Sequence, residues 1–178
     1  LNLKYVKMKK LLFISLMCFF ISCATGPHPD FAKNVETAKL LLELQGTESD
    51  LEGQLALVHE DLQWQSAFHA AGMLNKEQYR SYLKGWHDVM EDVVFTPENW
   101  LPGVSAETGL SDGSVRTYGK WTGVHSASGK SWELMTYQTF DFQDGLIFAG
   151  GDYFDAGGLM ASLQAKDTDD NAHSEDRD

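Results

Sequence analysis

Turn dipeptides recur in the second half of this chain, and their spacing is the strongest constraint on its fold. They are Asp112-Gly113, Ser128-Gly129 and Asp144-Gly145, one every 16 residues. Dipeptides of this kind favour the two-residue loops of β-hairpins, where both residues need unusual backbone angles. The spacing therefore predicts a meander of long antiparallel strands through residues 115–155.

Counting outward from two-residue loops predicts which residues share a face of this sheet. Trp121 then faces Thr136, and Thr136 faces Tyr153. One face is mostly apolar and carries Val115, Trp121, Trp132, Leu134, Phe140, Phe142, Ile147 and Tyr153, with Thr117, Thr136, Gln138 and Asp155 as its polar members. The other face is mixed and includes Met135, Tyr137, Asp152 and Phe154. We therefore expect a curved sheet with one wall in the core.

Three helices are predicted before this meander. Asp30 caps a first helix that ends at Gly46, a second begins near Leu51, and Asn75 caps a third. Between the second and third, residues 62–68 alternate with the period of a strand. Pro97, Pro102 and Gly103 are expected to interrupt the chain before the meander. The order predicts an α+β fold, with a curved, mostly antiparallel sheet around about three N-terminal helices.

The segments 112–116 (DGSVR), 118–121 (YGKW), 128–130 (SGK), 142–147 (FQDGLI) and 153–155 (YFD) resemble the SnoaL-like branch of the nuclear transport factor 2-like superfamily. The resemblance covers about residues 35–163, within a predicted domain at 31–163. It implies a cone-shaped roll with a pocket between sheet and helices, open at one end. Members include isomerases, cyclases, hydrolases, dehydratases and domains that only bind, so the fold alone does not choose an activity.

The resemblance also implies one catalytic residue, because the family's cyclases use an aspartate near the last strand as a general base. The two positional matches are Asp152 and Asp155. The register above places Asp155 on the pocket face and Asp152 on the outer face, so Asp155 is the predicted base. The alternative is that Asp155 caps the helical turn that begins at Ala156.

Four large rings and two polar side chains are candidates for ligand binding. The rings of Trp64, Trp86, Trp121 and Tyr153 would line a cavity for a flat apolar ligand. Thr136 and Gln138 would supply orienting hydrogen bonds; alternatively, these side chains fill the core. The sequence contains neither HExxH spacing nor a glycine-rich phosphate loop, so we predict no metal and no cofactor.

The N-terminal region has the order of an export signal. Lys9-Lys10 precede an apolar run at residues 11–21 that is shorter than the roughly 20 residues a membrane span needs. The segment 20–23 (FISC) resembles a bacterial lipobox, which implies cleavage of residues 1–22, with a start at Met8, and acylation of Cys23 with palmitate-type chains. The alternative is a secretory peptide cut elsewhere. Residues 23–30 would then be a tether, and the acidic residues 164–178 a disordered tail.

Composition and charge argue against some classes of binding partner. The chain has a net charge of −12, and removal of residues 1–22 would take away four lysines and no acidic residue. This argues against nucleic acid as a partner and against electrostatic attachment to anionic lipid. The sequence predicts an envelope protein held by its lipid, in the outer membrane or on the periplasmic face, and Ala24 after the cysteine favours the outer membrane.

Three functions are consistent with the sequence. The leading hypothesis is binding of a small apolar or aromatic molecule. The first alternative is an isomerase, cyclase or hydratase with an aspartate base. The second is a dimerising module that uses the outer sheet face, with Met135, Tyr137 and Phe154.

Overall fold

The computed structural model describes residues 26–46 and 50–164. Its elements are α1 (Phe31–Gly46), α2 (Leu51–Ala56), β1 (Val58–Gln65), β2 (Met73–Leu74), α3 (Lys76–His87), β3 (Met90–Val104), β4 (Ser111–His125), β5 (Ser131–Gln143), β6 (Leu146–Tyr153) and α4 (Ala156–Gln164). The strands form one open sheet in the order β2-β1-β6-β5-β4-β3. Among the strands of the described residues, only the β1–β6 pair is parallel. The predicted α+β fold with a curved, mostly antiparallel sheet is confirmed.

The helices begin where the sequence offers caps. Asn75 and Gln78 form a reciprocal capping box at the start of α3, and Asp50 caps α2 through the backbone N–H of Gly53. α1 begins directly after Asp30. The apolar stripe of α1, with Leu41 and Leu42, is buried in the main core against the sheet.

The predicted interruption at Pro97 and Pro102 is wrong, because β3 runs through both prolines. β3 is an edge strand, and the register of the β3–β4 ladder shifts beside each proline. Prolines are tolerated at edges and bulges, where the missing N–H breaks no ladder. The β3–β4 loop is consequently residues 105–110, and the Asp112-Gly113 pair lies inside β4 rather than in a hairpin loop.

The β4–β5 loop is longer than predicted. His125 and Lys130 close a loop of residues 126–129, so the pairing is displaced by two residues and Trp121 faces Leu134 instead of Thr136. A displacement of two residues keeps every side chain on its predicted face, because side chains alternate with a period of two. The apolar wall of β4 and β5 is therefore as expected.

The β5–β6 hairpin departs from its predicted register, and this departure changes which residues face the site. Its two-residue turn at Asp144-Gly145 is as predicted, with φ of 53° and 80°, and Phe142 faces Ile147. A β-bulge at Phe148 then changes the pairing, and Gln138 faces Asp152. One extra residue moves all later side chains to the opposite face. The predicted faces of Asp152 and Tyr153 are thus exchanged.

The main core lies between the sheet and α1 to α3, and a smaller cluster lies under α4. The smaller cluster contains Met90, Leu159 and Leu163 and borders Trp86 and Trp132. Within residues 26–46 and 50–164, no helix has the length and apolar character that crossing a bilayer requires. The predicted signal, the Cys23 lipidation site and tail residues 165–178 lie outside the described residues.

Candidate functional site

A cavity of about 620 Å³ opens between the sheet, α3, α4 and the start of β3. Its wall is largely aromatic and aliphatic and includes Trp86, Trp121, Trp132, Leu134, Phe154 and Leu159. This volume falls in the range of pockets that take drug-sized molecules. Such a wall favours an apolar or aromatic guest, because burying apolar surface is favourable and rings stack on rings.

Asp152 is the buried acidic residue of the cavity lining, with 5 % exposure, whereas the lining residues Glu91 and Asp92 are exposed. Its Oδ2 accepts hydrogen bonds from Trp64 Nε1 at 3.0 Å and from the Tyr82 hydroxyl at 2.9 Å. Its Oδ1 accepts one from Gln138 Nε2 at 2.7 Å. The three donors come from β1, α3 and β5, so the carboxylate joins the sheet to the helical layer.

A carboxylate offers about four acceptor positions, and these three donors use three of them. The remaining position is on Oδ1, which has one donor among the described residues. Asp152 is among the residues that line the cavity, so this position is a candidate contact for a bound molecule.

Burial shifts the pKa values of three ionisable groups in the cavity lining. It raises the pKa of the Asp152 carboxyl above its usual range, although the three hydrogen bonds act in the opposite direction. Burial and the Asp152 charge also raise the pKa of Tyr82, which therefore remains a hydroxyl donor at neutral pH. Burial lowers the pKa of the His87 imidazole at the cavity rim, which favours a neutral ring.

Aromatic packing holds the donors of Asp152 in place. The Trp64 ring lies 4.9 Å from Tyr79 and 5.9 Å from Phe140, between centroids. Gly150 makes room for this ring, because a Cβ at that position would lie 2.7 Å from Trp64 Cζ3. Tyr82 is in turn stacked on Tyr79 and edge-on to Trp86.

The predicted ligand residues divide into three groups. Trp86 and Trp121 line the cavity. Trp64, Thr136 and Gln138 are buried outside the lining, and two of them bind Asp152. Tyr153 does not face the cavity, because the bulge at Phe148 turns it to the outer face, where it is 49 % exposed and its ring contacts that of Tyr137 at a tilt.

The predicted position of Asp155 on the pocket face is also wrong. Asp155 lies past the end of β6, and its Oδ1 accepts a hydrogen bond from Gly158 N at 2.8 Å. This is the helix-capping alternative, here for α4. Asp152, which the sequence placed outside, occupies the interior.

Sequence reasoning missed several cavity residues. Trp132 had been placed on the correct sheet face, so its position was predictable although its role was not, and Tyr82 on α3 was not among the predicted ligand residues. Phe154 was expected on the outer face, yet it lines the cavity and meets Trp86 with 5.8 Å between ring centroids. In the part of the chain that the structure describes, no group of three or more His, Cys, Asp or Glu side chains could hold a metal.

An open cone of α+β structure, with a pocket between sheet and helices, defines a domain of the nuclear transport factor 2-like superfamily. The SnoaL-like domain model matches residues 44–149, which is more than half of the chain. The chain therefore belongs to the SnoaL-like domain family.

Solved structures share this fold at low sequence identity. An NTF2-like protein of unknown function from Burkholderia pseudomallei is 15 % identical with a TM-score of 0.60, covering 75 % of this chain and 98 % of its own. PrhC from Penicillium brasilianum is 16 % identical with a TM-score of 0.60, covering 75 % and 87 %. A protein with a ketosteroid isomerase-like fold from Catenulispora acidiphila, in complex with trimethylamine, is 13 % identical with a TM-score of 0.59, covering 74 % and 94 %. No curated protein matches the chain.

Proposed function

We propose that the cavity binds a small apolar or aromatic molecule and directs one polar group of it to Asp152. A single observation carries this proposal: a desolvated carboxylate with an unused acceptor position lies in an aromatic wall around about 620 Å³. The wall provides apolar contact, and Asp152 Oδ1 provides an acceptor for a hydroxyl or an acidic C–H group.

Two experiments test ligand binding. The purified domain is first examined by native mass spectrometry for a retained molecule. 2-Naphthol, an aromatic alcohol small enough for the cavity, is then titrated and followed by fluorescence. Leu134→Trp should fill the cavity and abolish binding, whereas Met135→Trp, the neighbouring residue on the outer face, should leave it unchanged. Equal binding by both variants would count against this cavity as the site.

The same geometry favours proton transfer as the chemistry. Asp152 Oδ1 would accept a proton from a carbon next to a carbonyl group and return it to another atom of the same molecule, as isomerases and cyclases require. Its raised pKa suits this role, because a base works best when its pKa is near the operating pH. The Tyr82 hydroxyl keeps the carboxylate oriented throughout.

Solvent-deuterium exchange tests this chemistry without knowledge of the natural substrate. 2-Tetralone, an enolisable aromatic ketone, is incubated with the protein in D₂O and followed by NMR. The wild-type protein should accelerate exchange, Asp152→Asn should not, and Asp155→Asn should behave as wild type. Full exchange activity in Asp152→Asn would refute the base assignment, and the binding proposal would then stand alone.

The chain is further proposed to be a lipoprotein of the cell envelope, anchored through acylated Cys23 in the outer membrane. The basis is the lipobox-like segment at residues 20–23 and the following Ala24. Cys23→Ser should move the protein from the membrane fraction to the soluble fraction. A wild-type protein whose mass shows no acyl chains would contradict the anchor.

A second copy of the chain is the proposed partner of the outer sheet face. Tyr118, Tyr137 and Tyr153 form a row of rings in tilted contact there, with centroid spacings of 4.7 Å and 5.7 Å. Met135 lies on the same face and is 54 % exposed. Exposed aromatic and Met side chains are enriched at protein interfaces.

A further inference from the structure

We propose that the loop end of the β3–β4 hairpin contacts the lipid bilayer, so that the cavity opens away from the membrane toward water. This orientation rests on the acylation of Cys23 proposed above. It adds a membrane-contact surface on the folded domain and implies a ligand that arrives in the aqueous phase.

The hairpin end carries three exposed aliphatic side chains. Leu101, Val104 and Leu110 are 43 %, 57 % and 60 % exposed, and Val104 and Leu110 flank the loop of residues 105–110. The loop contains one charged residue, Glu107, and no lysine or arginine. These three exposed aliphatic side chains lie at one end of the hairpin, and their attraction to a bilayer would be hydrophobic rather than electrostatic.

The N-terminal end of the described chain is fixed at this same hairpin end. The His28 backbone N–H donates to Ser111 Oγ at 3.1 Å, and the His28 ring lies against Gly113. Asn34 Nδ2 donates to the Gly113 carbonyl at 2.9 Å. Cys23 precedes His28 by five residue steps, which can reach about 17 Å at most. Acyl chains on Cys23 would therefore hold the hairpin end close to the bilayer.

The cavity lies at the other end of the domain. α1 runs from the hairpin end to Gly46, which borders the cavity, and its 16 residues span about 24 Å. The cavity residues Met90 and Glu91 pair with His125 and Val124, at the end of β4 that is remote from Ser111. A domain held by its hairpin end thus presents the cavity to water.

Dyes on single introduced cysteines test this orientation in the full-length, membrane-extracted protein. An environment-sensitive dye is attached to Ala106→Cys in the β3–β4 loop or to Ala127→Cys in the β4–β5 loop, both exposed positions at opposite ends of β4. The chain has only two natural cysteines, Cys18 and Cys23, which removal of residues 1–22 and acylation would leave unreactive. Each protein is placed in phosphatidylcholine vesicles and exposed to iodide as an aqueous quencher.

The proposal expects a blue shift and a severalfold loss of iodide quenching for the dye at position 106 only. Added salt should not reverse the shift, because no basic residue holds the loop to the lipid. Leu101→Ser, Val104→Ser and Leu110→Ser together should return this dye to water. Met73→Ser with Met135→Ser, which removes two comparably exposed side chains elsewhere, should not.

Each contrary outcome has a distinct meaning. Acylated protein with both dyes in water, or with the dye at 127 shielded instead, would overturn the orientation and leave the anchor intact. Shielding at 106 that depends on protein density in the vesicles would mean that a second copy covers the loop, and bilayer contact would be wrong. Protein shown by its mass to be unacylated would overturn both the anchor and the orientation.

Discussion

Asp152 links the elements that surround the interior of this domain. Its carboxylate accepts hydrogen bonds from Trp64, Tyr82 and Gln138, which belong to a strand, a helix and a second strand. Hydrogen bonds to a charged group are stronger than those between neutral groups, and each of these donors would be costly to bury unpaired. The acid therefore serves both the cavity and the packing around it.

The raised pKa of Asp152 predicts how stability depends on pH. In the unfolded chain an aspartate has a pKa of about 3.9, so as pH rises the unfolded state releases this proton before the folded state does. The contribution of Asp152 to folding should therefore decrease from about pH 4 up to its folded pKa and stay constant above it. Each unit of the shift corresponds to about 1.4 kcal/mol.

Urea unfolding of the wild type and of Asp152→Asn at a series of pH values measures this contribution. The free energy of unfolding of the wild type, relative to the variant, should fall as pH rises through that window. An increase over the same window would show that the hydrogen bonds outweigh burial and that the pKa is lowered.

Gly150 should tolerate no side chain. A Cβ there would approach the Thr139 carbonyl and Trp64, so Gly150→Ala should lower the free energy of unfolding by about 1–3 kcal/mol, as overpacking does. Gly85→Ala is the matched control: nothing lies within 4 Å of its Cβ, and it is within α3. The control should raise stability by up to about 1 kcal/mol, because alanine favours helix. Equal effects in urea unfolding would exclude crowding at Gly150.

At the scale of elements, α3 supplies Tyr82, Trp86 and His87 to the site, and its start is fixed by a capping box. The side chain of Asn75 accepts from Gln78 N at 2.9 Å, and that of Gln78 accepts from Asn75 N at 2.9 Å. Both contacts satisfy N–H groups that have no partner within the helix. The placement of these three α3 residues at the site thus depends on the exposed capping pair Asn75 and Gln78.

Asn75→Ala should lower the free energy of unfolding by about 1 kcal/mol, and Asn75→Asp should lower it less, because aspartate caps a helix equally well. Both are measured by urea unfolding. A loss of the same size in the two variants would mean that the cap does not act through its acceptor oxygen.

Local sequence patterns predict some of these elements and miss others. The periodicities and caps located all three N-terminal helices, and the register count found the apolar wall of β4 and β5. The bulge at Phe148 has no such signal, because an additional residue in a strand preserves local composition. This one additional residue determines which aspartate enters the site. The predicted faces of Asp155 and Tyr153 were wrong because of it.

The long β3 strand was missed for a related reason. Proline is read locally as an interruption, whereas its effect depends on whether its strand lies at the edge of the sheet, which only the three-dimensional arrangement reveals. The cavity was expected from the resemblance, and Trp86 and Trp121, predicted as ligand residues, line it, while their role in binding stays a prediction. The network around Asp152 joins residues 70 and 88 positions apart in sequence, and no short pattern predicts such contacts.

At the scale of the whole molecule, the outer sheet face predicts association. Met135→Glu would place a charge in the proposed contact and should convert dimers to monomers in light scattering. Met73→Glu, a substitution of similar exposure on β2, should leave the mass unchanged. Wild-type protein that is monomeric at all concentrations would reject this interface.

Both edges of the sheet are poorly suited to recruiting another strand. β2 has two residues, and β3, although it has 15, contains two prolines beside shifts in its register. Short strands, prolines and bulges interrupt the row of free N–H and C=O groups that a foreign strand would need. Many copies crowded on one surface could therefore touch through their faces without joining edge to edge. Joining edge to edge is the route by which sheets grow into aggregates.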